Sequence, residues 1–129
     1  MLDAQAMKEV FEFNSKLWFR TETHDARFIV GQTQKTFGAH RDILAQASDV
    51  FFAMFYGPQK ERDPRNVIVG DVDPDAFEVI LQYVYTRTAD IGPAIAHALL
   101  YAAKKYMLQS LAELCVQWLD SNLNDDTVC

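Results

Sequence analysis

Apolar residues crowd the stretch 9–19 so densely that few polar positions remain. They are Val10, Phe11, Phe13, Leu17, Trp18 and Phe19. A helix with apolar residues on more than one face needs a cover on more than one side. We therefore expect a helix here that packs on its own domain with one face and on a partner chain with another.

Three short apolar segments predict a small sheet. Residues 27–30 and Lys35–Ala39 lie on either side of a GQTQ stretch, which predicts a β-hairpin with Gly31 at its turn. Val67–Val69 predicts a buried strand. The polar stretch 57–66, which contains two prolines, predicts an exposed loop before this strand.

Helical patterns fill most of the remaining chain. Residues 40–48 are rich in helix formers, and Ser48 can cap a second short helix, DVFFAMFY. Asp73 followed by Pro74 predicts another helix start, and Pro93 is expected to open the next helix. The apolar stripes on the last three helices are Phe77, Ile80, Leu81 and Val84; Ile95, Leu99, Ala102 and Tyr106; and Leu111, Leu114, Cys115, Trp118 and Leu119. This order of elements does not alternate as in a doubly wound sheet and predicts a helix-rich α+β domain.

The helix DVFFAMFY carries aromatic residues on two sides. Helical geometry places Phe51 with Met54 and Phe55, whereas Phe52 and Tyr56, four residues apart, share another side. We expect the first set to be core and the second to face a partner, because contiguous exposed aromatics are typical of interfaces. The alternative is that all five are core or incidental surface, since single exposed apolar residues are common.

Composition narrows the class of protein. The 129 residues fit one domain, and 12 Lys and Arg against 18 Asp and Glu give a net charge of −6, which opposes binding to nucleic-acid phosphates. The start, MLDAQAMKEVFEF, has no continuous apolar run, so neither a secretory signal nor a membrane anchor is expected. Cys115 and Cys129 are too few for a disulfide framework. The cytoplasm is the expected location, with the nucleus as the alternative.

Residues that could act in catalysis or bind a ligand do not fall into a catalytic or ligand-binding pattern. The five glycines lack phosphate-loop spacing, and the three histidines, His24, His40 and His97, are scattered. Neither cysteine belongs to a paired ligand motif, and Cys115 lies inside an apolar stripe. We therefore predict no enzyme activity, no cofactor and no metal site.

Seven segments spread over nearly the whole chain carry a family pattern. They are DARFIVG (25–31), FGAHRDILA (37–45), SDVFFAMFYG (48–57), DVDPDAF (71–77), LQYVYT (81–86), LLYAAKKY (99–106) and the L-x-x-x-C of 111–115. Together they resemble the BTB/POZ domain, and AMFYG, YAAKKY and DVxPxAF look most like the subgroup in which BACK and PHR domains follow. The resemblance implies a BTB/POZ domain over residues 1–124, with a small, mainly antiparallel sheet packed with about six helices. Residues 125–129 are similar to the start of a truncated BACK-like region.

The resemblance also implies a function. It indicates a protein-interaction domain that homodimerises and serves as a substrate adaptor for a cullin-3 ubiquitin ligase, while other domains bind the substrate protein. The dimer contacts that it implies on the first helix are Phe11, Phe13, Leu17 and Trp18. The cullin-facing residues that it implies on the aromatic helix, the following loop and a later helix junction are Phe52, Tyr56, Gln59, Glu61 and Tyr106.

The loop after the aromatic helix departs from the family pattern. Cullin-binding members often carry a hydrophobic-x-Glu triplet there, and the aligned residues are Gln59, Lys60 and Glu61. The acid is kept and the apolar anchor is missing, which lowers the expected affinity, because buried apolar anchors supply much of an interface's energy.

Two further matches concern polar residues near the core. Asp25 and Arg41 match an acid and a base near the family's dimer floor, and we expect a structural ion pair, because charged groups near a core need partners. Phe37, Ala39 and His40 match the family's F-x-A-H, which joins strand to helix. His40 is therefore expected to be structural.

Two other functions within the family are alternatives. The first is the dimerisation or co-repressor-recruiting domain of a transcription regulator, which zinc fingers downstream would favour. The second is a channel tetramerisation domain, which the absence of cysteine and histidine ligand spacing disfavours.

Overall fold

The computed structural model describes residues 3–58, 60 and 63–127, with side chains described up to residue 122. The described elements are α1 (Ala4–Phe19), a 3₁₀ turn (Thr21–Thr23), β1 (Ala26–Val30), β2 (Lys35–Ala39), α2 (Arg41–Ala47), α3 (Asp49–Tyr56), β3 (Val67–Val69), α4 (Pro74–Thr86), α5 (Ala96–Lys105) and α6 (Gln109–Thr127). The predicted helix-rich α+β class is confirmed. Within these ranges, no helix is both long and apolar enough to cross a membrane.

The three strands form one small mixed sheet in the order β2-β1-β3. The longer pair is the predicted hairpin, in which Phe28 lies opposite Phe37 on an antiparallel strand. The shorter pair is parallel and sets Val67 beside Phe28. Gly31 ends β1 at φ 74°, in the left-handed region, and a Cβ there would lie 2.8 Å from the ring of Pro74. Both the turn and this close approach therefore require glycine.

Local capping explains where α4 begins. The carboxylate of Asp73 accepts hydrogen bonds from the backbone amides of Asp75, at 2.8 Å, and Ala76, at 3.2 Å. Pro74 occupies the first helical position, where its missing N–H has no intrahelical partner to lose. The start predicted from Asp73 and Pro74 is confirmed.

The start of α5 differs from the prediction. The helix begins at Ala96, whereas Pro93 lies in the turn that precedes it. In that turn the amides of Ile95 and Ala96 both donate to the carbonyl of Gly92. Ile95 stands at the N-cap without a side-chain hydrogen bond, so no cap marks the start in the way that Asp73 does for α4.

Two residues that were expected to be buried are exposed. Ile68 in β3 is 77% exposed, because successive side chains on a strand alternate between faces and its neighbours Val67 and Val69 point into the core. Leu114 on α6 is 42% exposed, whereas Leu111 and Cys115 on the same helix are buried. The helix buries a narrower stripe than the sequence predicts.

The core lies between one face of the sheet and helices α3 and α4. At its centre Phe28 is fully buried, and its ring centroid lies 5.0 Å from that of Phe77, 5.9 Å from Phe51 and 6.1 Å from Phe55. Tyr106 closes the cluster from the end of α5 by stacking on Phe51 at 4.4 Å. One aromatic cluster thus joins the sheet to three helices.

Replacing Phe28 with alanine should lower the free energy of unfolding by about 3–5 kcal/mol, because a large cavity forms where four elements meet. Urea denaturation followed by circular dichroism measures the change. The matched control is Phe52→Ala, which shortens an aromatic side chain that is 52% exposed and should cost less than about 1 kcal/mol. Equal losses in the two variants would contradict this assignment of the core.

Candidate protein-interaction surfaces

Helix α1 exposes an apolar surface and contributes no fully buried residue. Its exposed apolar side chains, each between 45% and 67% exposed, are Met7, Val10, Phe11, Phe13 and Phe19. We call this set the α1 face. Apolar side chains exposed in this number on one helix are typical of a protein contact.

The same helix is attached to the domain near its C-terminal end. Leu17 and Trp18 are partly buried against the core, and the indole of Trp18 stacks on the ring of Tyr85 in α4 at 5.9 Å. The four predicted dimer residues are therefore divided. Phe11 and Phe13 are exposed, whereas Leu17 and Trp18 are partly buried and attach the helix to the core.

Three members of the α1 face were not among the predicted dimer residues. They are Met7, Val10 and Phe19. Val10 and Phe19 belong to the dense apolar stretch 9–19, so the sequence signal for them was present. Met7 lies before that stretch and at helical spacing from Phe11, four residues later.

Helix α3 has the two-sided character that its sequence predicts. Phe51 and Phe55 are buried and Met54 is partly buried, whereas Phe52 is 52% exposed and Tyr56 is 43% exposed. The rings of Phe52 and Tyr56 lie 5.7 Å apart, centroid to centroid. They form one aromatic ridge along the outer side of the helix.

Residues from α2 complete the surroundings of this ridge. Asp42, Ala45 and Gln46 line a shallow cavity of about 470 Å³ together with Phe52 and Tyr56. We call these five residues the α3 patch. An apolar surface beside the carboxylate of Asp42 suits a partner that presents an apolar side chain next to a basic one.

The orientation of Tyr56 is fixed by α2. Its hydroxyl donates a hydrogen bond to the carboxylate of Asp42, and the guanidinium of Arg41 lies 6.0 Å from its ring centroid. The hydrogen bond to Asp42 raises the pKa of the Tyr56 hydroxyl. The phenol therefore stays protonated and the ring is held in place before any partner binds.

Ser48 fixes the position of helix α3 in the domain. It is only 2% exposed, and its hydroxyl oxygen accepts from the amide of Phe51 at 3.1 Å while donating to the carbonyl of Tyr106 at 2.6 Å. The predicted cap is confirmed. The same side chain also ties the beginning of α3 to the end of α5, a link that no local sequence signal reveals.

Tyr106 is not on a partner-facing surface, and that prediction was wrong. Its side chain is fully buried and stacks on Phe51, because the α5 stripe that contains Leu99 and Ala102 directs it into the core. Burial raises the pKa of its hydroxyl, and that hydroxyl has no hydrogen-bond partner among the described residues. Tyr106 supports the α3 patch from below.

The other two predicted cullin-facing residues, Gln59 and Glu61, lie outside the described residues. Their role stays a prediction. The α3 patch is therefore defined by its helical residues alone.

The structure brings Asp25 and Arg41 together. Arg41 Nε lies 3.3 Å from one carboxylate oxygen of Asp25, and the other oxygen accepts from the Arg41 backbone amide at 2.8 Å. Both side chains are about a third or more exposed, at 35% and 42%, where ion pairs add little stability. The stronger contribution of Asp25 is to satisfy the first amide of α2.

Two features of the described residues concern reactive side chains. In the part of the chain that the structure describes, no three His, Cys, Asp or Glu side chains group as metal ligands. Burial raises the pKa of the Cys115 thiol, which disfavours the thiolate that nucleophilic attack needs.

Comparisons with known proteins agree on one family. The family model of the BTB/POZ domain matches residues 14–123. BTB/POZ domain-containing protein 6-A of Danio rerio is 38% identical over 121 residues, covering 92% of this chain and 22% of that protein. The human BTB/POZ domain-containing protein 3 is also 38% identical over 121 residues, covering 92% of this chain and 23% of that protein. The chain thus spans about a fifth of the length of the curated relatives it matches.

A solved structure shows the same fold. The BTB domain of zebrafish PATZ1 superposes with a TM-score of 0.73 and 21% sequence identity, covering 94% of this chain and 96% of that one. At this identity the likeness concerns the fold.

Replacing Ser48 with alanine should lower the free energy of unfolding by about 2–3 kcal/mol, because α3 loses its cap and a buried carbonyl loses its donor. Chemical denaturation measures the loss. Ser110→Ala, which alters an exposed serine on α6, is the control and should stay within about 0.5 kcal/mol of the wild type. If the two variants were equally stable, Ser48 would not hold α3.

Proposed function

The chain belongs to the BTB/POZ domain family, whose members are protein–protein interaction modules, and we propose that it homodimerises and acts as a substrate adaptor in a cullin-3 ubiquitin ligase. The observation that carries the proposal is that two different helices expose aromatic surfaces, the α1 face and the α3 patch. One surface is assigned to a second copy of the chain and the other to the cullin.

A second copy suits the α1 face for two reasons. Five apolar side chains on one helix can cover each other in a symmetric, self-complementary interface, and burying them stabilises it by about 25 cal/mol per Å². The charges on the same helix also balance, since Lys8 and Lys16 stand against Glu9 and Glu12. Two copies of a chain with a net charge of −6 would therefore meet where their charge is locally neutral.

The α3 patch is assigned to the cullin because it is preorganised and separate from the helix assigned to the dimer. Tyr56 is already held by Asp42, so little side-chain entropy is lost when a partner covers it. Phe52 offers the apolar anchor that the aligned loop position Gln59 does not supply. An exposed aromatic of this kind is a typical hot spot.

The AMFYG and YAAKKY motifs extend the proposal to the subgroup in which BACK and PHR domains follow. In that arrangement the substrate protein is bound outside residues 1–124. The domain itself then positions a substrate and carries out no chemistry.

Replacing Phe13 with glutamate should raise the dissociation constant of the dimer about 100-fold or more. A buried Phe contributes about 1.5–3 kcal/mol, and a symmetric dimer loses it twice. Sedimentation velocity across a concentration series measures the effect. The control is Ile68→Glu, which places the same charge at an exposed apolar position of β3 and should leave the dimer intact. A wild-type chain that remained monomeric at about 100 µM, a concentration far above the nanomolar to micromolar range of specific dimers, would sink the dimer proposal.

Replacing Phe52 with glutamate should weaken binding to the N-terminal region of cullin-3 by about 30-fold or more, as expected for a hot spot worth about 2 kcal/mol. Isothermal titration calorimetry measures the affinity. Ile68→Glu again serves as the control, and circular dichroism checks that both variants remain folded. The adaptor proposal fails if the wild-type domain shows no binding heat at about 50 µM, near the weak end of specific complexes.

A further inference from the structure

Two histidine rings meet where the chain returns from α1 to the sheet. The rings of His24 and His40 pack edge to face, with their centroids 4.9 Å apart. Nε2 of His24 lies 2.7 Å from the carbonyl oxygen of Trp18. A carbonyl only accepts, so this nitrogen carries a proton and donates it.

The contacts of His40 fix its protonation as well. Its backbone amide donates to the hydroxyl oxygen of Tyr85 at 2.9 Å, and that hydroxyl lies 2.6 Å from His40 Nδ1. Burial raises the pKa of Tyr85 to about 12, so the phenol keeps its proton and donates it to Nδ1. Nε2 then carries the ring proton and donates to the hydroxyl of Thr23 at 2.6 Å, which in turn donates to the carbonyl of Arg20 at 3.0 Å. In this series of hydrogen bonds from Tyr85 to Arg20, every donor has an acceptor only while His40 is neutral.

A second proton on the His40 ring would disrupt these hydrogen bonds. It would sit on Nδ1, where it faces the Tyr85 hydroxyl and leaves that hydroxyl's own proton without an acceptor. Burial is the main reason that the pKa of His40 is lowered, and the neighbouring His24 lowers it further.

The charged groups around the pair do not reverse this direction. Asp25 raises the pKa of His40 and is the smallest of the three influences, and its carboxylate is bound to Arg41 at the start of α2. Arg27 and Arg65 are the further charged residues on this side, and they line a cavity of about 390 Å³ together with His24 and Asp25.

Both rings hold the same end of α1. His24 binds the carbonyl of Trp18, His40 reaches the carbonyl of Arg20 through Thr23, and Trp18 itself stacks on Tyr85. Because α1 has no fully buried residue, these contacts are an important part of its attachment to the domain.

We propose that His40 is a pH-sensitive latch, which holds α1 on the domain through Tyr85 while its ring is neutral and loosens α1 when the ring takes up a proton. The proposal rests on the proposed dimer in one respect, because the released helix carries the α1 face. Acidification would therefore loosen α1 and weaken self-association together.

The sign and size of the effect follow from linkage. A histidine with a lowered pKa when latched contributes its full stabilisation above the ordinary value of about 6.5, and loses it as the pH falls below that value. The released state binds at most one additional proton, at His40. Between about pH 6.5 and 5.5 the equilibrium can therefore shift by at most about tenfold.

The test compares the wild type with two variants in the whole chain. Hydrogen–deuterium exchange, expressed as protection relative to an unstructured peptide at the same pH, reports on α1 with α4 as the internal reference, and sedimentation velocity gives the dimer constant. We expect the protection of α1 and the dimer affinity to fall between pH 7.5 and 5.5. In the variant His40→Gln, whose amide keeps a donor and cannot titrate, this pH dependence should disappear. His97→Gln, which changes the third histidine, exposed on α5, should behave like the wild type.

Each outcome decides the proposal. Unchanged pH dependence in His40→Gln overturns the latch. If that variant does not fold, an NMR titration of the wild-type imidazoles replaces it. A His40 ring that titrates at or above about pH 6.5, or α1 protection that does not follow this titration, then overturns the latch. A chain that is monomeric at every pH refutes the dimer while the protection of α1 still tests the latch, and a dimer with pH-independent protection refutes the latch alone.

Discussion

The packing of Phe51 and Phe55 against Phe28 is the constraint on which the interaction surfaces depend. A helix that directs these two rings into the core must direct Phe52 and Tyr56 outward, because residues one position apart lie about 100° apart around the helix axis. The aromatic ridge of the α3 patch is therefore a geometric consequence of how the core is filled. Ser48 and the buried ring of Tyr106 fix the helix in this rotation.

Helix α1 differs from α3 because it covers little of the core. The apolar surface of α1 remains accessible because the helix is held mainly at one end, by Leu17, Trp18 and the separate hydrogen bonds of His24 and His40. A helix attached in this way retains an apolar face for a partner.

Much of this fold was predictable from the sequence because it depends on interactions between residues that are close along the chain. The caps at Ser48 and Asp73 and the turn at Gly31 depend on residues within a few positions, and all three lie where the sequence predicts them. Contacts between distant residues were not predictable. His40 and Tyr85 are 45 positions apart, and Ser48 and Tyr106 are 58 apart, so neither link leaves a periodic signal. Tyr106 is instructive, because its helical stripe indicated burial while the resemblance placed it at a partner surface.

The charges near the two surfaces favour different kinds of partner. Around the α3 patch, Asp42 and Asp49 are exposed, while the adjacent Arg41 is already bound to Asp25. Two copies of the chain meeting there would bring these carboxylates together, whereas an unlike partner with basic residues would neutralise them. The charges of α1 balance within the helix, so no such repulsion opposes contact between copies. The proposed contact between two copies at α1, with an unlike partner at α3, would therefore avoid this repulsion between carboxylates.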